Sequence, residues 1–335
     1  MSAFDKVIGY EKEKEELLQL CDMAKNPEKY AALGVRLPRG ILLHGVPGVG
    51  KTLMVTALIE EMGRVCYTCR KDKANEEFID TIRGFFAEAK EHAPSVIFLD
   101  DIDKFASDSS SRNPEELIAV QSGIDDVKGA DVFVIATAND IDELPCSLRR
   151  AGRFDRILEI CPPNRKEAVE IVRHYLSDKK VGEDVTAESV ARLMDGNSCA
   201  ALESVLNEAG VYAGFDNKSE IRREHIVRAV LRDIFDADES VNEMSTAVKE
   251  EIAYHEAGHA VAALAFDAES VGLISVRPSK SDAHGVVQKI LGCGIWRNVC
   301  PLAGIGRSKA VQQFRKRCSQ ADQSGRGLCP FGKGG

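Results

Sequence analysis

The sequence predicts an α/β fold: a parallel sheet flanked by helices, followed by an all-helical unit. Two observations lead there. Five short apolar runs, ILLH (41–44), VCYT (65–68), VIFL (96–99), VFVIAT (132–137) and ILEI (157–160), alternate with helical segments at 51–62, 74–91 and 113–124. From Asn164 onward only helical patterns follow, at 164–177, 186–195, 198–213 and 221–235. The near-continuous apolar character of VIFL fits a strand covered on both faces. Ahead of the first strand, residues 10–31 read as one charged amphipathic helix with Leu17, Leu20, Cys21 and Ala24 on one face. An acidic, polar stretch at 236–245 reads as a linker. A further amphipathic helix runs from Thr246 to about Phe266.

Composition narrows the function classes. The 335 residues carry 44 basic and 53 acidic side chains, a net charge of −9. An acidic chain argues against a dedicated nucleic-acid binder. No 18-residue apolar run and no secretory leader are present, so the expectation is a cytoplasmic protein without a membrane segment. Six of the ten cysteines are scattered over the first 290 residues, a pattern expected of reduced thiols rather than a disulfide framework. Cys66 and Cys69 form one CxxC, but RVCYTC reads as a strand and lacks the second ligand pair of a zinc site.

The first apolar run opens into Gly45-Val46-Pro47-Gly48-Val49-Gly50-Lys51-Thr52, a complete GxxxxGK[ST]. Glycines let backbone N–H groups turn inward around phosphates, and the following helix presents its N-terminus, including Leu53, to the anion. Lys51 reaches the terminal phosphates and the Thr52 hydroxyl can ligate Mg2+. The strand Ser95–Leu99 then delivers Asp100, Asp101 and Asp103. Asp100 would hold the magnesium ion through water, and Asp101 would orient or deprotonate the attacking water.

His255-Glu256-Ala-Gly-His259 is a full HExxH on an expected helix. Histidines at i and i+4 project from one face and can share a Zn2+, with Glu256 as general base for the metal-bound water.

The order of phosphate loop, hhhhDD strand, Asn139 after VFVIATA, and Arg153 and Arg156 in AGRFDR resembles an AAA ATPase domain. With HEAGH downstream, residues 4–290 resemble more narrowly the FtsH type of ATP-dependent zinc metalloprotease. FDKVIGYEKEKEEL is similar to that family's adenine-side segment, and GNSCAALESVLNEAG to its lid, ending in Asn207-Glu208-Ala209. The resemblance implies ATP and Mg2+ as ligands and Val7, Ile8 and Gly9 as nucleotide contacts. It further implies Asn139 as the polar sensor that positions the attacking water. Arg153 and Arg156 would be supplied to a neighbouring subunit's nucleotide, which implies a homo-oligomeric ring, a hexamer in this family. No nucleic-acid partner is implied.

Several positions depart from the family pattern. Asp101 stands where the family has Glu, which retracts the carboxylate by roughly 1.5 Å. The substrate-gripping aromatic–apolar–Gly element falls on Ala74, Asn75 and Glu76, with Phe78 a nearby substitute. Cys199 and Ala201 replace a Gly and an Asp of the lid segment. The family's third zinc ligand lies far downstream on another helix; Asp282, His284 and Cys293 are the nearest donors here, so the Zn2+ site reads as incomplete and peptidase activity as lost.

The expected division is a nucleotide-binding α/β domain (1–162), a helical lid (163–235), a linker (236–245), the start of a peptidase domain (246–290) and a divergent basic tail (291–335). The expected function is ATP binding and hydrolysis coupled to protein remodelling or, in the family, to proteolysis. The alternatives are a nucleotide-binding scaffold with little hydrolysis and an intact zinc peptidase. The tail carries eight basic groups against Asp322 alone, while residues 1–290 carry a net −16. Its cysteines 293, 300, 318 and 329 are spaced 7, 18 and 11 apart, which is no zinc-finger pattern. A reading-frame shift or truncation, without stable structure, is the expectation for it.

Overall fold

The computed structural model describes residues 2–35, 38–71, 75–107, 114–150, 152–237, 245–265, 271–276 and 286–289. The tail from 291, most of the linker, and Ala74, Asp282, His284 and Cys293 lie outside them. The chain forms two compact units: residues 1–171 together with 198–200, and the rest of the described chain.

In the first unit the expected helix over 10–31 is two helices, α1 (Glu11–Lys25) and α2 (Pro27–Ala31). The break falls on Asn26, at φ −124° and ψ 56°, because Pro27 has no N–H and disfavours helical backbone in the residue before it. Then follow β1 (Gly40–His44), α3 (Lys51–Met62), β2 (Val65–Cys69), α4 (Asn75–Glu91), β3 (Ser95–Leu99), α5 (Pro114–Asp126), β4 (Val132–Ala138) and β5 (Arg156–Glu159).

The five strands form one parallel sheet in the order β2-β3-β4-β1-β5. Every residue of the inner strands β3 and β4 is buried, whereas the edge strands β2 and β5 keep exposed positions. Phe78, Ile82 and Phe86 of α4 and Ala119, Val120 and Ile124 of α5 pack with Leu42, Ile97, Leu99 and Val134 of the sheet in one core. Fully burying a Val, Leu, Ile or Phe side chain stabilises by about 1.5–3 kcal/mol. The packing also corrects an expectation: Phe78 is fully buried, edge-to-face with Phe105 at 5.2 Å, and so cannot stand in for a substrate-gripping aromatic.

α6 (Arg165–Leu176) starts in the first unit. The second unit holds α7 (Ala187–Leu193), most of α8 (Cys199–Phe215), α9 (Arg223–Asp233) and α10 (Thr246–Leu264). It also holds an antiparallel pair, β6 (Val271–Ser275) and β7 (Val286–Lys289), against which α10 packs. The Thr186 hydroxyl caps α7 by accepting Ser189 N–H, and Ser245 does the same for Val248 of α10.

Candidate functional site

In an open parallel sheet, ligands bind beyond the carboxyl ends of the strands where the strand order reverses. Here that place lies between β1 and β4, and the chain loads it with the expected residues. The loop after β1 turns through three glycines at positive φ: Gly45 (+147°), Gly48 (+81°) and Gly50 (+98°). Gly45 is obligatory on a second count, since a Cβ there would sit 2.0 Å from the Ile160 carbonyl oxygen. Val46 and Pro47 are exposed at the crest, Val49 is buried beneath, and Leu53 is exposed on the first turn of α3.

Lys51 opens α3 and is nearly buried. Its ammonium donates to Gly45 O (2.6 Å), Val46 O (3.1 Å) and Asn139 Oδ1 (3.0 Å), tying the loop to the end of β4. Burial pushes the ammonium pKa down, and the carboxylates of Asp101, Asp103 and Asp100 push back. The Thr52 hydroxyl lies 3.3 Å from Asp100 Oδ1. These are hard oxygen donors from two elements converging on one point, a set that fits a magnesium ion.

Thr137, which the sequence reading missed, and Asp103, which it named without a role, complete the arrangement. Thr137, fully buried near the end of β4, donates to Asp100 Oδ1 at 2.8 Å and accepts Asp101 N–H at 2.9 Å. Asp103 accepts Asn139 N–H at 2.9 Å, and its other oxygen is buried without a partner. A polar residue late in a buried apolar strand was the available signal for Thr137. Thr137→Val keeps the shape but removes both bonds. It is expected to destabilise the protein by about 1–3 kcal/mol, seen as a lower urea midpoint at unchanged slope.

Asp101 is left-handed, at φ +53°. Its Oδ1 lies 3.5 Å from Asn139 Nδ2, and its Oδ2 pairs with Lys104. Lys51, Thr52, Asp100, Asp101 and Asn139 therefore form one group.

The arginines stand apart from it. Arg153 is buried and donates to Ser147 O and Asp125 Oδ2, both at 2.9 Å; its guanidinium holds the Asp125 carboxyl down at about 2. Arg156 begins β5 and is exposed. Among the described residues, neither makes a polar contact with the Lys51 group.

Val7, Ile8 and Gly9 precede Tyr10, which anchors them. Tyr10 donates its N–H to Glu167 Oε1 (3.2 Å) and accepts Lys14 N–H at its carbonyl (2.9 Å), and its hydroxyl meets Cys161 O (3.1 Å) and Cys199 Sγ (3.4 Å). Gly9, at φ +71°, passes so close to Glu167 that a Cβ would lie 3.0 Å from that side chain. Cys199 lies 3.8 Å from Val49 O, and Ala200 N–H donates to Gly48 O at 3.0 Å. The opening segment, the phosphate loop and the start of α8 thus meet at Cys199, which the sequence marked only as a departure.

On α10, His255 Nε2 and His259 Nε2 are 3.2 Å apart, with Glu256 buried between them in sequence. Two nitrogens bound to one tetrahedral zinc at ~2.05 Å stand about 3.3 Å apart, so this pair fits two of its ligands. Among the described residues no three His, Cys, Asp or Glu side chains gather as a metal site. Cys66 and Cys69 lie on β2 three residues apart, which on a strand sends them to opposite faces, with Cys69 buried. Among the described residues no helix is long and apolar enough to cross a membrane.

Residues 41–162 match the family described as ATPase family associated with various cellular activities (AAA). Over 271 residues the chain is 35% identical to the ATP-dependent zinc metalloprotease FtsH of Aster yellows witches'-broom phytoplasma (strain AYWB), covering 77% of this chain and 40% of that protein. It is 37% identical over 273 residues to the protein of the same name from Malacoplasma penetrans (strain HF-2), covering 77% and 33%. Against that of Caldicellulosiruptor bescii (strain ATCC BAA-1888 / DSM 6725 / KCTC 15123 / Z-1320) it is 34% identical over 290 residues, covering 82% and 47%. The chain therefore spans less than half the length of these curated relatives.

Proposed function

The chain carries an AAA ATPase domain of the FtsH type, and on that premise we propose that it binds ATP with magnesium and hydrolyses it to drive protein remodelling or proteolysis. The observation that carries this reading is the Lys51 ammonium, held at once by the phosphate loop and Asn139. Its tether presents a positive charge where the terminal phosphates would lie, beside the loop's inward N–H groups. Thr52 and Asp100 would hold the magnesium ion, which supplies neutralisation of phosphate charge. Asp101 would accept the attacking water's proton, and Asn139 would orient that water. The test is steady-state ATP turnover of the full chain with Lys51→Ala as the control.

The division of labour is proposed from the family resemblance. Residues 1–162 would bind the nucleotide and 163–235 act as its lid, with residues 246–290 opening a peptidase domain. Arg153 and Arg156 would complete a neighbouring subunit's site in a homo-oligomeric ring, since charge developing on a transferred phosphoryl group calls for a cation. Arg156 is the better placed, because Arg153 would first have to leave Asp125.

One observation favours a second reading, a nucleotide-binding scaffold with little hydrolysis. The Asp101 carboxylate, already one methylene short, is engaged by Lys104. A base so paired is held away from the attacking water.

The His255–His259 separation supports zinc binding by two of the three protein ligands that hydrolytic zinc needs. Two imidazoles alone hold zinc weakly, so the purified full chain is expected to carry well under one zinc per chain and to lack peptidase chemistry. Metal analysis checks this. One zinc per chain, lost in His259→Ala, would mean that a third donor completes the site.

A further inference from the structure

The carboxylates at the tip of β3 face a cation that the ATP reading does not use. β2 ends at Cys69, whose carbonyl accepts Asp100 N–H at 3.0 Å, so the next residue, Arg70, is set beside that tip. Arg70 Nε lies 3.7 Å from Asp100 Oδ2, and a terminal guanidinium nitrogen lies 3.9 Å from Asp101 Oδ2. Asp100 is almost wholly buried, and its Oδ1 is taken by the Thr52 and Thr137 hydroxyls. Oδ2 is therefore the oxygen left for a cation, and Arg70 occupies its approach.

The arm is built to leave. Arg70's side chain is 66% exposed, so packing does not hold it. Its contacts are longer than the roughly 2.7–2.9 Å of a directed charge-assisted hydrogen bond, so charge rather than geometry keeps it there. A divalent ion brought to Asp100 would stand beside a guanidinium of like sign, and the two cannot share the carboxylates without cost.

We propose that Arg70 is an internal stand-in for the divalent cation: it neutralises Asp100 and Asp101 in the nucleotide-free chain and must swing out when magnesium and nucleotide enter. This rests on the ATP reading and adds to it a regulation of the same site. Arg70 is then a positioning residue that sets the magnesium concentration the site requires, because whatever magnesium displaces must weaken magnesium's own binding equally.

The experiment titrates magnesium against the full chain holding a fluorescent N-methylanthraniloyl ATP, for wild type, Arg70→Gln and Arg70→Lys. Removing the competing charge is expected to lower the magnesium midpoint by about two- to fivefold in Arg70→Gln, the size of one or two partly exposed ion pairs. Arg70→Lys, which keeps the charge, should stay nearer the wild-type midpoint. A midpoint in Arg70→Gln that is unchanged or raised overturns the proposal while leaving the ATP reading intact. Wild type that binds no analogue at saturating magnesium overturns the ATP reading and this proposal together.

Discussion

Lys51→Ala is expected to lower ATP turnover by about 10²–10³-fold, the scale seen when one preorganised charge-stabilising donor is removed from an active site. The structure says why the loss should not be made good by a neighbour. Lys51 is nearly buried, and its ammonium is aimed by two loop carbonyls and Asn139. Lys104 is spent on the carboxylate of Asp101. Because Lys51 also restrains Gly45 and Val46, its loss should weaken nucleotide binding as well as turnover. Steady-state kinetics with a parallel binding assay separates the two. Wild-type turnover no higher than that of Lys51→Ala would sink the motor reading and leave the scaffold reading standing.

Asp101→Glu is expected to raise turnover by about 10–100-fold, since a displacement of the order of 1 Å at a reacting group can cost about a hundredfold. The added methylene advances the carboxylate toward the water that Asn139 would orient. A cost opposes the gain: residue 101 is left-handed, at φ +53°, a conformation that Asp tolerates better than Glu. The net effect should still be a gain, because Thr137 holds the backbone of residue 101 through its N–H whatever side chain follows. Lys51, Thr52 and Asp100 are untouched, so kcat should rise with KM nearly constant. A turnover equal to or below wild type would mean that Asp101 is matched to this site as it stands.

Much of the candidate site could be read without coordinates. The loop from Gly45 to Thr52 announces itself because its constraint is local: positive φ at Gly45, Gly48 and Gly50 is a demand that glycine alone meets cheaply. The buried strands β3 and β4 were legible for the same kind of reason, as runs with no polar face. The single helix over 10–31 was an error of local chemistry, since Pro27 was there to be weighed.

Other roles were hidden because they belong to pairs far apart in the chain. Thr137 earns its place only beside Asp100, 37 residues earlier. Tyr10 and Cys199 meet across 189 residues. Phe78 looked available for gripping a substrate until α4 laid it against Phe105. Arg153, expected at a neighbouring subunit's nucleotide, is tied to Asp125 within the chain.

The sequence by itself determined the α/β class, the phosphate loop, the acidic strand end and the two histidines one helical turn apart. Each rests on backbone sterics or on side-chain period within a few residues. Only the tertiary structure decided which carboxylate oxygen faces Thr52, which faces Arg70, and which arginine is tied down. Those outcomes depend on how strands 30 or more residues apart come into register, and one strand's register fixes its neighbour's side chains in space.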